Sequence, residues 1–482
     1  MENLNPDLVI KRSIHGVLTL ISRTFFLNLI SFAAFLVVTV VLPAKDVGIY
    51  TAVIAIQRII SFFTDFGLGA ALVQKKHDLK QEDLETAFTV QAVVTLLIFL
   101  IILASIGLLG SFFRLNGQAQ ILLLVLVFTI FVSSFKVIPS ILLERTINFG
   151  RLVFPQIAES LAFNGILVAC ILLGFGLNAF SWAFLLSSLV GIPVYYIVSP
   201  WKIGFGIHKD SLHSLKYGIQ FQAKNILATI KDDLLTVILT RFLSFTQIGY
   251  IGFAQRISFL IYRYVVDSVT KVTFSTYSRV QHDLQFMKKA VEKSLYFVSA
   301  SMFPILFGLI VISSDLIKYF PKWHNKWEPA ILSIVFFSLN AAVSSLSGIL
   351  VNVLDATGRV KTTLQLMVLW TTLTWILTPL FIYFYGFNGV SVASFLVTLT
   401  IVYTIYLVKK VIDFNFMAAI TKPLISTILM SVVVYFLAGM FAKNFISLIA
   451  VCIFGGLIYA VCLFVISGQE LKDDLVRFGI KL

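Results

Sequence analysis

The chain predicts an all-α polytopic membrane protein of about 14 transmembrane helices, built as two pseudo-symmetric six-helix lobes plus two C-terminal helices. Three observations carry that prediction. Of the 482 residues, 59% are hydrophobic and only 12% charged, against about 25% charged in soluble domains. Mean hydropathy is +0.96. Apolar stretches of about twenty residues recur along the whole chain, each long enough to cross a hydrocarbon core about 30 Å thick.

Taken in order, Met1–Gly16 is polar and holds Lys11 and Arg12. No short apolar region with a cleavage site follows it, so the first span is expected to be retained. Spans are expected near residues 17–42, 48–73, 86–108, 119–142, 153–175 and 178–199. A second set falls near 215–240, 248–274, 290–313, 329–354, 361–385, 389–408, 418–441 and 445–467. The connections are short, and no soluble domain is present to offer a nucleic-acid groove. The net charge of +14 therefore reads as topology.

Loop charges orient the chain. With the N-terminus inside, Lys75, Lys76, Lys80, Arg145, Arg151, Lys202, Lys209, Arg279, Lys288, Lys289, Arg359, Lys361, Lys409, Lys410 and Lys422 fall on the cytoplasmic side. So do Lys472, Arg477 and Lys481 of the tail. The opposite side receives few, chiefly Lys45, Arg114, Arg241, Lys443 and the cluster Lys318, Lys322, Lys326. An excess of roughly three to one predicts a multi-pass protein of the cytoplasmic (inner) membrane with both termini cytoplasmic. The Lys318–Lys326 loop runs against the rule.

A faint internal repeat accompanies this topology. A shift of 201 residues lays Arg23 on Lys224 and Gly48 on Gly249, and a shift of 202 brings Asp65 onto Asp267. The expected division is a first lobe over 1–200, a second over 201–410, and two additional helices with the tail over 411–482. Repeat-built transporters place their site between such halves.

The charges inside the spans are the functional signal. Span seven holds Lys224, Lys231, Asp232 and Asp233; span eight holds Arg256, Arg263, Asp267 and Lys271. At about 100° per residue, Arg256, Arg263 and Asp267 fall within about 40° of one helical face. Each such charge costs about 2.5–3.5 kcal/mol to insert at mid-membrane, so it is expected to face water, a partner or a substrate. The first half contributes Arg23, Arg58, Asp65, Lys136 and Glu159, with Pro139 beside Lys136. Cations exceed carboxylates in this set, which suits an anionic head group such as phosphate. Arg23, Arg58, Lys136, Lys224, Lys231, Arg256 and Arg263 are therefore the candidate substrate-binding residues. Asp65, Asp232, Asp233 and Asp267 are candidate coupling or ion-pair carboxylates.

Catalytic, metal and cofactor sites are not expected. Cys170, Cys452 and Cys462 all lie in apolar spans, and the six histidines lie in loops or near span ends. No Walker motif, metal-ligand spacing or nucleophile elbow occurs.

Two runs have a family likeness. Val47-Gly48-Ile49-Tyr50 followed by Thr64-Asp65-Phe66-Gly67-Leu68-Gly69-Ala70-Ala71-Leu72-Val73-Gln74 resembles the second-helix signature of bacterial and archaeal polysaccharide flippases. Tyr217-Gly218-Ile219-Gln220-Phe221-Gln222-Ala223-Lys224-Asn225, with Gly249-Tyr250 and Ala254-Gln255-Arg256, resembles the seventh and eighth helices of the same family. That family belongs to the multidrug/oligosaccharidyl-lipid/polysaccharide exporter superfamily. The resemblance implies an alternating-access flippase for a polyprenyl-diphosphate-linked glycan, serving surface polysaccharide biosynthesis. It also implies coupling to an ion gradient, with H+ or Na+ as the candidate ions. Arg23, Lys224 and Arg256 are the basic positions it supports most directly. Two readings within this class stay open: a flippase for the peptidoglycan lipid precursor, and an ion-coupled multidrug exporter. Another class, a membrane glycosyltransferase or polymerase, would want a large outside loop or a catalytic acidic motif. The longest outside loop here is Asp315–Glu328.

Overall fold

Every described element is a helix or a connection between helices. Hydropathy requires this, because a backbone in hydrocarbon must satisfy its own hydrogen bonds. The structure, a computed structural model, describes residues 26–64, 72, 79–146, 149–208 and 229–477. Among them, nine helical stretches are long and apolar enough to cross a membrane, one being the 50-residue run Val360–Lys409. The helices begin with α1 (Phe26–Val41), α2 (Ala44–Thr64), α3 (Gln81–Phe113), α4 (Gly117–Arg145), α5 (Phe149–Leu172) and α6 (Asn178–Val198). A π-helical turn at Ile230–Leu234 leads into α7 (Leu235–Leu239), α8 (Phe245–Ser258) and α9 (Leu260–Val280). Next come α10 (Leu284–Tyr319), α11 (Ile331–Ala356), α12 (Val360–Tyr385), α13 (Gly389–Thr398) and α14 (Ile401–Lys409). The series ends with α15 (Phe416–Phe441) and α16 (Phe445–Arg477). The chain folds into two compact units, Met1–Gly249 and Tyr250–Leu482.

In the first unit α6 packs against both α5 and α4. Its buried ridge is small-sided: Ala179, Ala183, Ser187 and Gly191 recur every fourth residue. Such a ridge lets helices approach where lipid gives no hydrophobic drive for association. Tyr50 of α2 stacks on Phe180 of α6, ring centroids 4.0 Å apart. After α6 the chain runs extended over residues 200–208 along the start of α3. There Gly206 N donates to Thr89 Oγ1 and His208 N to Thr86 Oγ1, both at 3.1 Å, and Trp201 packs edge-on to Phe88.

In the second unit α10 is the central post. Met287, Val291, Leu295, Val298, Met302 and Leu306 form one fully buried stripe along it at spacings of three and four. α15 and α16, predicted as an appendage, pack on this post. Met430, Val434 and Ala438 of α15 meet Val311, Ile312 and Leu316 of α10 in one apolar cluster. Polar side chains join other helices: Asn352 Nδ2 donates to Thr270 O at 2.8 Å and to Thr273 Oγ1 at 2.7 Å, tying α11 to α9. Between α10 and α11, Trp323 and Trp327 are almost wholly buried around Phe253, which stacks on Trp327 at 4.1 Å.

Several helices depart from the expected spans in detail. The span expected over 248–274 is two helices meeting at Phe259. Its backbone bonds nevertheless run on, from Phe259 N to Gln255 O and from Arg263 N to Phe259 O. The result is a bend rather than a loop. The span expected over 389–408 likewise breaks at Leu399–Thr400, where Thr400 Oγ1 accepts from Trp370 Nε1 at 2.8 Å.

Candidate functional site

Three charged groupings lie in the first unit. Arg58 of α2 donates through Nη1 to Asp233 Oδ1 at 3.3 Å, joining α2 to the π turn. The Arg58 side chain is 58% exposed and Asp233 only 17%. One of the five guanidinium N–H groups serves this bond, so most of the fork faces outward and can meet an anion. In the second grouping, Lys231 Nζ sits 3.4 Å from Asp232 Oδ1. Lys231, Asp232 and Asp233 sit in a π turn, and such bulges are frequent at functional positions.

The third grouping is deeper. Lys136 Nζ of α4 pairs with Glu159 Oε1 of α5 and lies 3.4 Å from Ser188 Oγ of α6. Glu159 stands ten residues into α5, and Lys136 nine residues from the end of α4. At 1.5 Å per residue each is about 14–15 Å from that helix end, well inside its helix. A Cβ on residue 191 would collide with the Glu159 carboxylate, so the glycine there makes room for it. The sequence places Glu159 near the end of its span, where it could snorkel; the structure puts it at the middle of its helix. Ser188 and Gly191 escape a reading of charges alone. The four-residue recurrence of small residues on α6 is the signal that points to them.

The second unit carries the charged stripe. Arg256 on α8 and Arg263, Asp267 and Lys271 on α9 are all exposed. Val266, Thr273 and Tyr277 on the other side of α9 are buried in the unit's core. Arg263, Asp267 and Lys271 thus lie on the exposed side of α9, and Arg256 is exposed on α8 before the bend. Asn352, by holding two groups of α9, fixes which side that face presents.

The structure therefore brings Arg58 to Asp233, Lys231 to Asp232 and Lys136 to Glu159. It leaves Arg263 and Asp267 on the exposed side of α9 and Arg256 exposed on α8. Arg23, Asp65 and Lys224 lie outside the described residues, as does most of each run that carries the family likeness. Among the described residues no group of three or more His, Cys, Asp or Glu could hold a metal. Chemically, these side chains offer guanidinium and ammonium donors to an anion.

Comparison with known proteins bears on the same residues. The family profile for "Polysaccharide biosynthesis protein" matches residues 37–332. The chain is similar to the succinoglycan biosynthesis transport protein ExoT of Rhizobium meliloti (strain 1021), 23% identical over 296 residues. That match covers 60% of this chain and 58% of ExoT. It is similar also to the lipopolysaccharide biosynthesis protein WzxC of Escherichia coli (strain K12), 22% identical over 294 residues, covering 58% of this chain and 57% of WzxC. The chain thus spans less than two thirds of either relative. Among solved structures, the lipid II flippase MurJ in an inward closed conformation superposes with a TM-score of 0.75 at 17% identity. The match covers 94% of this chain and 99% of MurJ. An inward-facing multidrug resistance transporter of the MATE family superposes with a TM-score of 0.61 at 14% identity, covering 80% and 95%. At those identities the likeness is one of fold.

Proposed function

The chain belongs to the polysaccharide biosynthesis protein family, and on that premise we propose that it is a flippase for a polyprenyl-diphosphate-linked oligosaccharide. It would work by alternating access in the cytoplasmic membrane and supply surface polysaccharide assembly. The observation that supports this reading is the set of cationic side chains Arg58, Lys136, Lys231, Arg256 and Arg263 in a chain that is 59% hydrophobic and only 12% charged. Lys136 lies in a helix long and apolar enough to cross a membrane, and the others lie in the more polar α2, π turn, α8 and α9. Each charge is costly to insert, and a diphosphate is the ligand that repays several of them together. The likeness to ExoT, a succinoglycan biosynthesis transport protein, and to WzxC, a lipopolysaccharide biosynthesis protein, supports a glycan cargo.

In this reading Arg23, Arg58, Lys136, Lys224, Lys231, Arg256 and Arg263 hold the diphosphate and the sugars next to it. Asp65, Asp232, Asp233 and Asp267 balance those cations or take part in ion coupling to H+ or Na+. Residues 1–200 and 201–410 move as lobes, with 411–482 attached to the second. No bond in the substrate is made or broken. An exporter of cationic drugs would need the opposite charge balance, which disfavours it here.

The test is a vesicle assay with purified full-length protein and fluorescent polyprenyl-diphosphate-linked oligosaccharide, read by accessibility of the glycan to an added lectin. The expected result is protein-dependent movement of the intact lipid-linked glycan across the bilayer. Movement of a peptidoglycan lipid precursor alone would replace the cargo. Glycosyl transfer or hydrolysis would overturn the non-enzymatic reading.

A further inference from the structure

Lys136 and Glu159 stand apart from the other charges. They are partly buried, with side chains 12% and 25% exposed, and they join two different helices well inside each. A pair kept only to hold helices together would be an uneconomical choice. A buried ion pair seldom stabilises more than a well-packed apolar pair of the same volume. Elsewhere the chain joins its helices with neutral hydrogen bonds, as Asn352 does with Thr270 and Thr273. Intramembrane ionisable pairs more often mark an ion or substrate pathway.

We propose that Glu159 is a proton-operated competitor for Lys136, its ionised carboxylate holding the ammonium and its protonated form releasing it to the anionic diphosphate of the cargo. The inference rests on the flippase reading and supplies the coupling step that reading leaves open. The carboxylate is the more exposed of the two side chains. On protonation the carboxylate becomes a neutral acid, its charge–charge attraction to Lys136 is lost, and the ammonium keeps its positive charge. Ser188 Oγ, 3.4 Å from Nζ, remains as a neutral acceptor that keeps Lys136 near its place while an anion approaches. Loss of the proton to water restores the carboxylate, which then displaces the diphosphate from Lys136. One proton thus cycles with each round of binding and release.

No other charged group competes for Glu159 among the described residues. α5 carries Arg151 near its start, two turns away. On α4 the other ionisable groups are Glu144, which accepts from Ser140, and Arg145, which donates to Leu72 O; both lie eight or more residues from Lys136. α6 offers Tyr195 and Tyr196, and α1 has no charged residue. Gly191 completes the device, since any larger side chain there would push the carboxylate off Lys136.

The experiment measures binding of farnesyl diphosphate to the purified full chain from about pH 8 to about pH 5. Wild-type protein is expected to bind more tightly as pH falls. Glu159→Gln should bind at pH 8 as tightly as wild type does at pH 5, with a flattened profile. The ligand's own titration is common to both proteins, so the difference between profiles reports Glu159. Lys136→Met should lose about ten- to hundredfold in affinity at low pH, the range for one charged hydrogen bond. The double variant Lys136→Met/Glu159→Gln guards against a purely structural role. It should keep the wild-type Tm yet bind weakly at every pH. An unchanged profile in Glu159→Gln, or wild-type binding by the double variant, overturns the proposal. If binding behaves as stated while no lipid-linked glycan crosses vesicles, the pair stands and the flippase reading fails. If glycans cross while Glu159→Gln keeps the wild-type profile, the pair alone fails.

Discussion

At the scale of single residues, Arg58 and Arg256 are both exposed cations, and Arg58 bonds Asp233, a carboxylate only 17% exposed. Truncating either should remove a donor to the diphosphate and weaken binding by about 1.5–3 kcal/mol, roughly ten- to hundredfold. Arg58→Ala also strands the Asp233 carboxylate, which should destabilise the protein by about 1–3 kcal/mol and lower Tm. Arg256→Lys should fall between wild type and Arg256→Ala, because charge survives but the bidentate fork does not. Paired binding and thermal-shift measurements on the three variants check this. An unchanged Tm in Arg58→Ala would mean that Asp233 does not depend on Arg58. That ion pair also marks where sequence reasoning stops. Spacing along one helix shows that Arg256, Arg263 and Asp267 share a face, but nothing in the sequence pairs Arg58 with a residue 175 positions away.

At the scale of elements, the repeat gains physical content at one helix crossing. A Cβ on Gly48 of α2 would collide with the carbonyl oxygen of Phe245, and a Cβ on Gly249 of α8 with the carbonyl oxygen of Ala44. The contact is reciprocal, since each glycine meets the backbone four residues before the other. Shifting the sequence by 201 residues aligns these same two glycines. Gly48→Ala or Gly249→Ala should therefore force the two backbones apart and cost about 1–3 kcal/mol, as overpacking does elsewhere. Alanine at Gly456, with nothing within 4 Å of its Cβ, is the control expected to leave Tm unchanged. A Gly249→Ala protein with the wild-type Tm would show that the crossing tolerates a wider separation. Helix existence was legible from hydropathy, because an apolar run of span length has few other fates in a membrane. Helix ends and internal breaks were less so. α10 runs from Leu284 to Tyr319, well past the apolar window near 290–313, because the cap at Asp283 starts the helix outside it. The breaks at Phe259 and at Leu399–Thr400 occur without proline or glycine, so tertiary packing rather than local chemistry sets them.

At the scale of the whole molecule, the distribution of charge between connections bears on orientation. Positive residues crowd the loops expected inside, yet Lys318 in the last turn of α10 and Lys322 and Lys326 in the connection to α11 cluster together. That connection is built to stay folded. Trp323 and Trp327 are buried beneath it around Phe253, and Lys322 and Asn325 adopt left-handed backbone, at φ 59° and 62°. Burial, and Lys322 beside it, push the Lys326 ammonium below the usual lysine range. Local packing therefore fixes where this loop sits, and the number of its lysines says little about which side it occupies. Orientation is weighed by the short loops taken together, and these favour both termini inside. Reporter fusions after residues 80, 284 and 470 should accordingly report cytoplasm, and a fusion after residue 324 the opposite side. Neutralising Lys318, Lys322 and Lys326 together should leave all four assignments unchanged. If the fusion after residue 324 instead reports cytoplasm while that after residue 284 does too, α10 does not cross and the span count is odd. If neutralisation inverts the chain, that loop, and not the inside excess, sets its topology.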